Sequence, residues 1–152
     1  MNQKAIIYTS YHHNNTINLL KDAVNELEYD WHNLLRDKEE LIDLSKYDTI
    51  IFGSGIYYSK VHKMMIRFLE EKKEELKEKK IGIVITAGMN PKGYQRRVSN
   101  YFKKLDLENV LMFSCIGFDT YGPLKLIGGV NRNRPNQDDV VKLQEFLLKN
   151  NL

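Results

Sequence analysis

The sequence predicts an α/β fold: one domain in three layers, a parallel sheet with helices on both faces. Three observations carry this. Apolar, strand-like runs alternate with amphipathic helical ones, the rhythm of βαβ units. Two of the runs, Thr49-Ile50-Ile51-Phe52 and Ile81-Gly82-Ile83-Val84-Ile85, are apolar at successive positions, as suits strands covered on both sides. The 152 residues, 42% of them hydrophobic and 28% charged, suffice for one core and are too few for two comfortable ones. A single domain over residues 1–152 is expected.

Taken in order, the first strand is expected at Lys4–Thr9. A helix follows near Thr16, because Ile17, Leu20, Ala23, Val24 and Leu27 share a face at a 3.6-residue period. The second strand falls near Tyr29–Leu35, and Asp37–Tyr47 reads as a short or irregular helix. The third strand spans Asp48–Ser54. Val61, Met64, Met65, Phe68, Leu69 and Leu76 mark the next helix. The fourth strand is Lys80–Thr86. Val98, Tyr101, Phe102 and Leu105 mark the helix after it, and Val110–Ile116 is the fifth strand. The last helix begins after Pro135, with Asn136 as N-cap and Asp138 and Asp139 in its acidic first turn. Val140, Val141, Leu143, Phe146 and Leu147 form its inner face. Gly117–Pro135, rich in Gly and Asn, is a long connection with little helical signal, and such loops are more often functional than idle.

Bulk properties exclude several classes. A net charge of +3, from 23 basic and 20 acidic residues, is too mild to argue for nucleic acid. The charge run from Glu70 to Lys80 mixes both signs and reads as the solvated face of a helix. No apolar run approaches the roughly 18 residues needed to span a bilayer. Met1-Asn2-Gln3-Lys4 leads into a strand without the apolar core of a signal peptide, so the cytoplasm is the expected location. Cys115 is the only cysteine; no internal disulfide is possible, and its place in an apolar strand reads as a core thiol. His12 and His13 are adjacent, so their side chains diverge, a poor arrangement for one metal ion. No metal site is expected.

In an open parallel sheet, ligands sit beyond the carboxyl ends of the strands. After the first strand comes Ser10-Tyr11-His12-His13-Asn14-Asn15-Thr16, with hydroxyls, amides and backbone N–H groups but no Lys or Arg. A helix start neutralises an anion through orphan N–H groups and the positive end of its dipole. The segment therefore reads as the phosphate site of a nucleotide-like cofactor. After the third strand comes Gly53-Ser54-Gly55-Ile56-Tyr57-Tyr58-Ser59, and after the fourth Thr86-Ala87-Gly88-Met89-Asn90-Pro91-Lys92-Gly93-Tyr94. After the fifth comes Gly117-Phe118-Asp119-Thr120-Tyr121-Gly122. Small residues, hydroxyls and aromatics recur in all of them. Tyr and Met offer flat or polarisable surfaces against a ring.

This constellation resembles flavodoxin. The matching residues are Ile7-Tyr8-Thr9-Ser10, Asn15-Thr16, Phe52-Gly53-Ser54-Gly55 with Tyr57, and Thr86-Ala87-Gly88 with Tyr94. The resemblance implies a flavodoxin-like five-stranded sheet in the order 2-1-3-4-5 and a bound flavin mononucleotide (FMN). Its phosphate would lie in the first loop, held by Ser10, Thr16 and the N–H groups from Tyr11 through His12, His13, Asn14 and Asn15 to Thr16. Its ring would lie between Ser54, Gly55, Ile56 and Tyr57 on one side and Thr86, Ala87, Gly88, Met89, Asn90 and Tyr94 on the other. In flavodoxins the peptide at the position of Gly55 reorients on reduction of the flavin. Asn14 stands where the family usually has Gly, and Asn is the non-Gly residue that best tolerates left-handed φ. Flavodoxins of the usual kind dock through an acidic rim, whereas this chain is slightly basic.

The resemblance implies an electron carrier that serves redox protein partners, with no catalytic side chain, since the cofactor carries the chemistry. Gly53–Phe68, with Gly55-Ile56-Tyr57-Tyr58 and His62, is also similar to flavodoxin-type, menaquinone-dependent protoporphyrinogen oxidases. The alternative is therefore an FMN-dependent oxidoreductase acting on a quinone, porphyrinogen or other small substrate, with Gly117–Pro135 as lid or wall. A phosphoacceptor signalling domain would need acids at the ends of strands one and three, where Thr9-Ser10 and Gly53-Ser54 stand instead.

Overall fold

Five parallel strands run through the middle of the molecule in the spatial order β2 (Asp30–Asn33), β1 (Lys4–Thr9), β3 (Thr49–Tyr57), β5 (Lys80–Ala87) and β6 (Val110–Ile116). The computed structural model describes residues 3–10 and 13–152; Tyr11 and His12 of the expected phosphate loop lie outside the described residues. The elements are β1 (Lys4–Thr9), α1 (Asn15–Ala23), β2 (Asp30–Asn33), β3 (Thr49–Tyr57), β4 (Lys60–Val61), α2 (Lys63–Leu76), β5 (Lys80–Ala87), α3 (Pro91–Lys104), β6 (Val110–Ile116) and α4 (Gln137–Lys149).

Two cores sandwich the sheet. On one face Ala5, Ile7, Phe52 and Ile83 meet Met65, Phe68 and Leu69 of α2 and Val98 and Phe102 of α3. On the other, Ile6, Ile51 and Val84 meet Leu19 and Leu20 of α1 and Leu143 and Leu147 of α4. Continuous apolarity along β3 and β5 thus serves both faces. Each fully buried Phe or Ile of these runs is worth about 1.5–3 kcal/mol. The register places Gly53 between Tyr8 and Val84, and Gly55 beside Thr86. Gly53 lets α1 lie close on the sheet: a Cβ there would lie 2.7 Å from Leu20 Cδ1 and 3.2 Å from Thr16 Cγ2, so those side chains would have to shift.

Three expectations are corrected and one is narrowed. β3 does not end at Ser54; it continues to Tyr57 and turns back as β4, with Ile56 opposite Val61 and Tyr57 opposite Lys60. Asp37–Tyr47 is irregular, one of its two expected forms, but is broken into two 3-10 turns, Glu39–Leu41 and Leu44–Lys46, and is not one helix. Leu27 is 85% exposed, because α1 stops at Ala23. Val141 lies on the outer side of α4 and is exposed. The start of α4 is as expected: the Asn136 side chain accepts the Asp139 N–H, and Asp139 returns the bond to the Asn136 N–H.

Candidate functional site

The carboxyl ends of β1, β3, β5 and β6 open onto one edge of the sheet, where hydroxyl groups sit beneath the loops. The Thr9 hydroxyl donates to Ser54 Oγ at 3.2 Å. Ser54 Oγ donates to the Gly55 carbonyl at 2.7 Å and accepts the His62 N–H at 3.1 Å. Ser54 is therefore wholly internal and fully bonded, and ties β1 and β3 to the start of α2. On the opposite face of the sheet Thr16 and Thr86, 1% and 3% exposed, share a hydrogen bond of 2.9 Å that fastens α1 to β5.

Above these hydroxyls, α1 begins after two left-handed residues, His13 (φ 56°) and Asn14 (φ 52°). The tight turn expected at Asn14 is present with its amide side chain in place of Gly. The Asn14 carbonyl accepts the Asn18 N–H at 3.0 Å, and Ser10 Oγ receives the Ile17 N–H at 3.4 Å. The N–H groups of Asn15 and Thr16 have no acceptor among the described residues. Such orphan donors at a helix start are open to an anion.

The loop after β6 closes against this turn. Asn15 Nδ2 donates to the Phe118 carbonyl at 2.8 Å, and His13 Nε2 lies 2.9 Å from the Thr120 hydroxyl. The His13 ring rests against Phe118 with centroids 4.2 Å apart. Asn131 Nδ2 donates to the Gly88 carbonyl at 2.8 Å. A Cβ on Gly88 would collide with the Asp119 carboxylate, so the β5 loop and the β6 loop touch only because position 88 has no side chain. Phe118, Thr120 and Asn131 hold the site together as individuals, and only the loop as a whole was legible; no local signal marks partners so far apart in sequence.

On the other side, the Tyr57 ring folds back over Gly55, with its hydroxyl 2.9 Å from where a Gly55 Cβ would stand. His62 meets that ring edge-on at 5.5 Å. His62 Nδ1 accepts the Met64 N–H and caps α2. Burial, reinforced by Lys63, holds the His62 imidazole below the ordinary histidine value. At neutral pH it is an uncharged cap. Asn90, left-handed at φ 43°, caps α3 by accepting the Gly93 N–H at 3.1 Å. Met89 stands out into solvent. Ile56 and Tyr94 are half-buried against the α2/α3 core, and Arg97 lies over the Tyr94 ring at 5.7 Å. Ala87 is buried, and its carbonyl accepts the Gly117 N–H.

The expected site residues within the described part of the chain thus line one edge. Among them the hydroxyls of Ser10, Thr16, Ser54 and Thr86 are internal and shape the floor, while His13, Asn14, Met89 and Asn90 are exposed. Cys115 is buried, and its thiol is pushed up to about 12, chiefly by burial, with Asp139 adding to it. It behaves as a core group. Between α1, the 118–135 segment and the start of α4 runs a groove of about 360 Å³, lined among others by His13, Phe118, Arg132 and Gln137.

Comparison with known proteins agrees with this geometry. Residues 5–117 match the family model described as a flavodoxin domain. The chain is 39% identical over 150 residues to an uncharacterized protein of Methanocaldococcus jannaschii, covering 95% of this chain and 97% of the relative. Among solved structures, the Trp repressor binding protein from Bacillus subtilis superposes with a TM-score of 0.67 at 14% identity, covering 95% of this chain and 97% of that one. The two-electron reduced flavodoxin of Megasphaera elsdenii gives 0.64 at 17%, covering 95% and 98%. An FMN-dependent NADH-azoreductase from Bacillus anthracis, solved in complex with FMN, gives 0.62 at 12%, covering 98% and 99%. With the strand order, the four loops and the match over residues 5–117 together, the chain belongs to the flavodoxin domain family.

Proposed function

We propose that the chain binds FMN at the carboxyl edge of its sheet and passes electrons between redox protein partners. The observation that supports this most is the start of α1: the N–H groups of Asn15 and Thr16, without an acceptor among the described residues, stand on a helix terminus in a loop without Lys or Arg. The residues fit the group. A hydrogen bond to a charged acceptor contributes about 1.5–3 kcal/mol, so several together hold a phosphate dianion without a cation. Gly55 and Gly88 have no side chains, which lets Tyr57 and the Asp119 loop close in around the proposed ring site.

In this reading Asn15 and Thr16 present their N–H groups to the phosphate. One proton of the Thr16–Thr86 hydroxyl pair remains free to turn toward it. Ser10 keeps the helix start in place through the Ile17 N–H. Tyr57 and Ile56 would border one side of the ring. Thr86 to Asn90 would border the other, with Tyr94 behind them. Bound FMN would supply the redox chemistry at its ring, and the chain would seat it and limit water around it. The azoreductase from Bacillus anthracis supports a flavin on this fold.

A second reading, an FMN-dependent oxidoreductase with its own small substrate, is favoured by one observation. The groove of about 360 Å³ next to His13 and Phe118 is walled by the 118–135 segment. Turnover of a quinone with saturation and no protein partner would select that reading.

The test is the visible spectrum of purified protein, oxidised and then stepwise reduced. Flavin absorption that bleaches on reduction is expected. Colourless protein that leaves added FMN unchanged would overturn the proposal.

A further inference from the structure

Five large apolar side chains that are 63–89% exposed share the carboxyl edge of the sheet: Tyr58, Met89, Tyr121, Leu126 and Ile127. Tyr58 is at the tip of the β3–β4 hairpin. Leu126 and Ile127 belong to a 3-10 turn, Gly122–Ile127, that begins beside Tyr121. The Tyr58 and Tyr121 rings meet edge-on at 5.5 Å, so hairpin and turn form one continuous surface. The neighbouring Tyr58 phenol holds Tyr121 above its ordinary value. Side chains this exposed project outward; they do not line a cavity able to enclose a small ligand.

The three loops that carry these side chains are net basic. The segments 57–63, 87–92 and 117–133 carry Lys60, Lys63, Lys92, Lys125 and Arg132 against one acid, Asp119. The five cations are all exposed. Asp119 is turned inward, accepting the Tyr121 N–H at 2.8 Å and lying against Gly88. The acids Glu70, Glu71, Glu74, Glu75 and Glu78 lie on or just beyond α2, where they alternate with lysines. An apolar centre inside a net basic rim is the anatomy of a docking face that uses charge for encounter and apolar burial for residence.

We propose that this edge docks a protein whose surface is acidic around an apolar centre, the reverse in sign of the acidic rim of ordinary flavodoxins. That the partner is a redox protein rests on the function proposed above; the acidic, apolar-centred docking surface rests on the exposed residues alone. Charge complementarity selects the partner. Lys60 and Lys125 sit in the hairpin and the 3-10 turn that carry Tyr58 and Leu126, so both attractions act on the same contact.

The experiment uses two probes of one fold: cytochrome c, which is basic, and cytochrome c with its lysines succinylated, which is acidic. Each is titrated into isotope-labelled full-length protein, and backbone amide shifts are followed by NMR. At low salt the succinylated probe should shift Tyr58, Lys60, Leu126 and Ile127, and the native probe should not. Affinity should fall about tenfold between about 20 and 200 mM NaCl. Lys60→Glu with Lys125→Glu should abolish the shifts while the rest of the spectrum stays folded. Leu126→Ser with Ile127→Ser should weaken binding several-fold at both salt concentrations. Absence of shifts, shifts centred on the lysines of α2, or equal shifts with the native probe would overturn the proposal. So would the same shifts appearing on concentrating the protein alone, which would identify a second copy as the occupant. The visible spectrum of the same sample separates the two claims. A flavin-free sample that still binds the acidic probe sinks the flavin reading only, and a yellow sample without shifts sinks the docking face only.

Discussion

The hydroxyls of Thr16 and Thr86 meet at 2.9 Å beneath the first turn of α1, a buried link between residues 70 positions apart. It joins the helix start proposed to hold the phosphate to the strand proposed to border the ring. Thr16→Val keeps the shape and removes the hydroxyl, leaving Thr86 buried with no partner. The expected cost is about 1–2 kcal/mol in chemical denaturation. Thr16→Ser should recover most of it. Thr16→Ala should also weaken FMN about tenfold by fluorescence titration, the equivalent of one lost hydrogen bond. Unchanged affinity would remove Thr16 from the site.

The β3–β4 hairpin turns on Tyr58 and Ser59 at φ 48° and 65°. A two-residue turn with both φ positive normally takes Asn-Gly or Gly-Gly. A left-handed non-Gly residue costs about 1–2 kcal/mol. Ser59→Gly should therefore raise stability by about 1 kcal/mol, read as a shift in the denaturation midpoint. A lower midpoint would show that Ser59 contributes more than its backbone shape.

Arg134 grips Asp139 with two bonds of 2.7 Å, and Asp139 also accepts the Asn136 N–H at 2.8 Å. Burial opposes ionisation of Asp139, but Arg134 and Asn136 outweigh it and hold its carboxyl below the ordinary value. A depressed carboxyl stabilises the fold above its unfolded value of about 3.9, and that contribution is lost as pH falls through the folded value. Arg134 is one-third exposed on its side chain, so screening trims the pair. Arg134→Met should cost about 1–3 kcal/mol at pH 7 and progressively less as pH falls below the unfolded carboxyl value of about 3.9. A loss that stays constant down to acid unfolding would contradict this assignment.

His32 and His62 are both held below the ordinary histidine value, each chiefly by burial. The folded chain then binds fewer protons than the unfolded chain in the window just below about pH 6.5. Stability should be full above that pH and decline as pH falls through it. His62→Gln should flatten part of this slope in urea denaturations run across pH 5 to 7.5. A slope of the opposite sign would show that the imidazoles are charged in the folded protein.

The layered fold was legible because β1, β3 and β5 are apolar on both faces and α2 to α4 are apolar on one. The end of β3 was not, since Gly53-Ser54-Gly55 reads locally as a loop. Gly53 is small because Leu20 and Thr16 press on it, and Gly55 because Tyr57 folds over it. Leu27 continued the period of α1 past the point where the helix stops. At the site, the first loop could be read from its residue types. The bonds from His13 to Thr120 and from Asn131 to Gly88 could not, for they span 107 and 43 positions.

In the proposed site the headgroup is held by the turn from Ser10 to Thr16, which has no Lys or Arg. Riboflavin is FMN without the phosphate, and titrating both into the apoprotein isolates that claim. Two or more charge-assisted bonds predict FMN binding at least about 100-fold tighter than riboflavin. Equal affinities, or binding of neither, would contradict it.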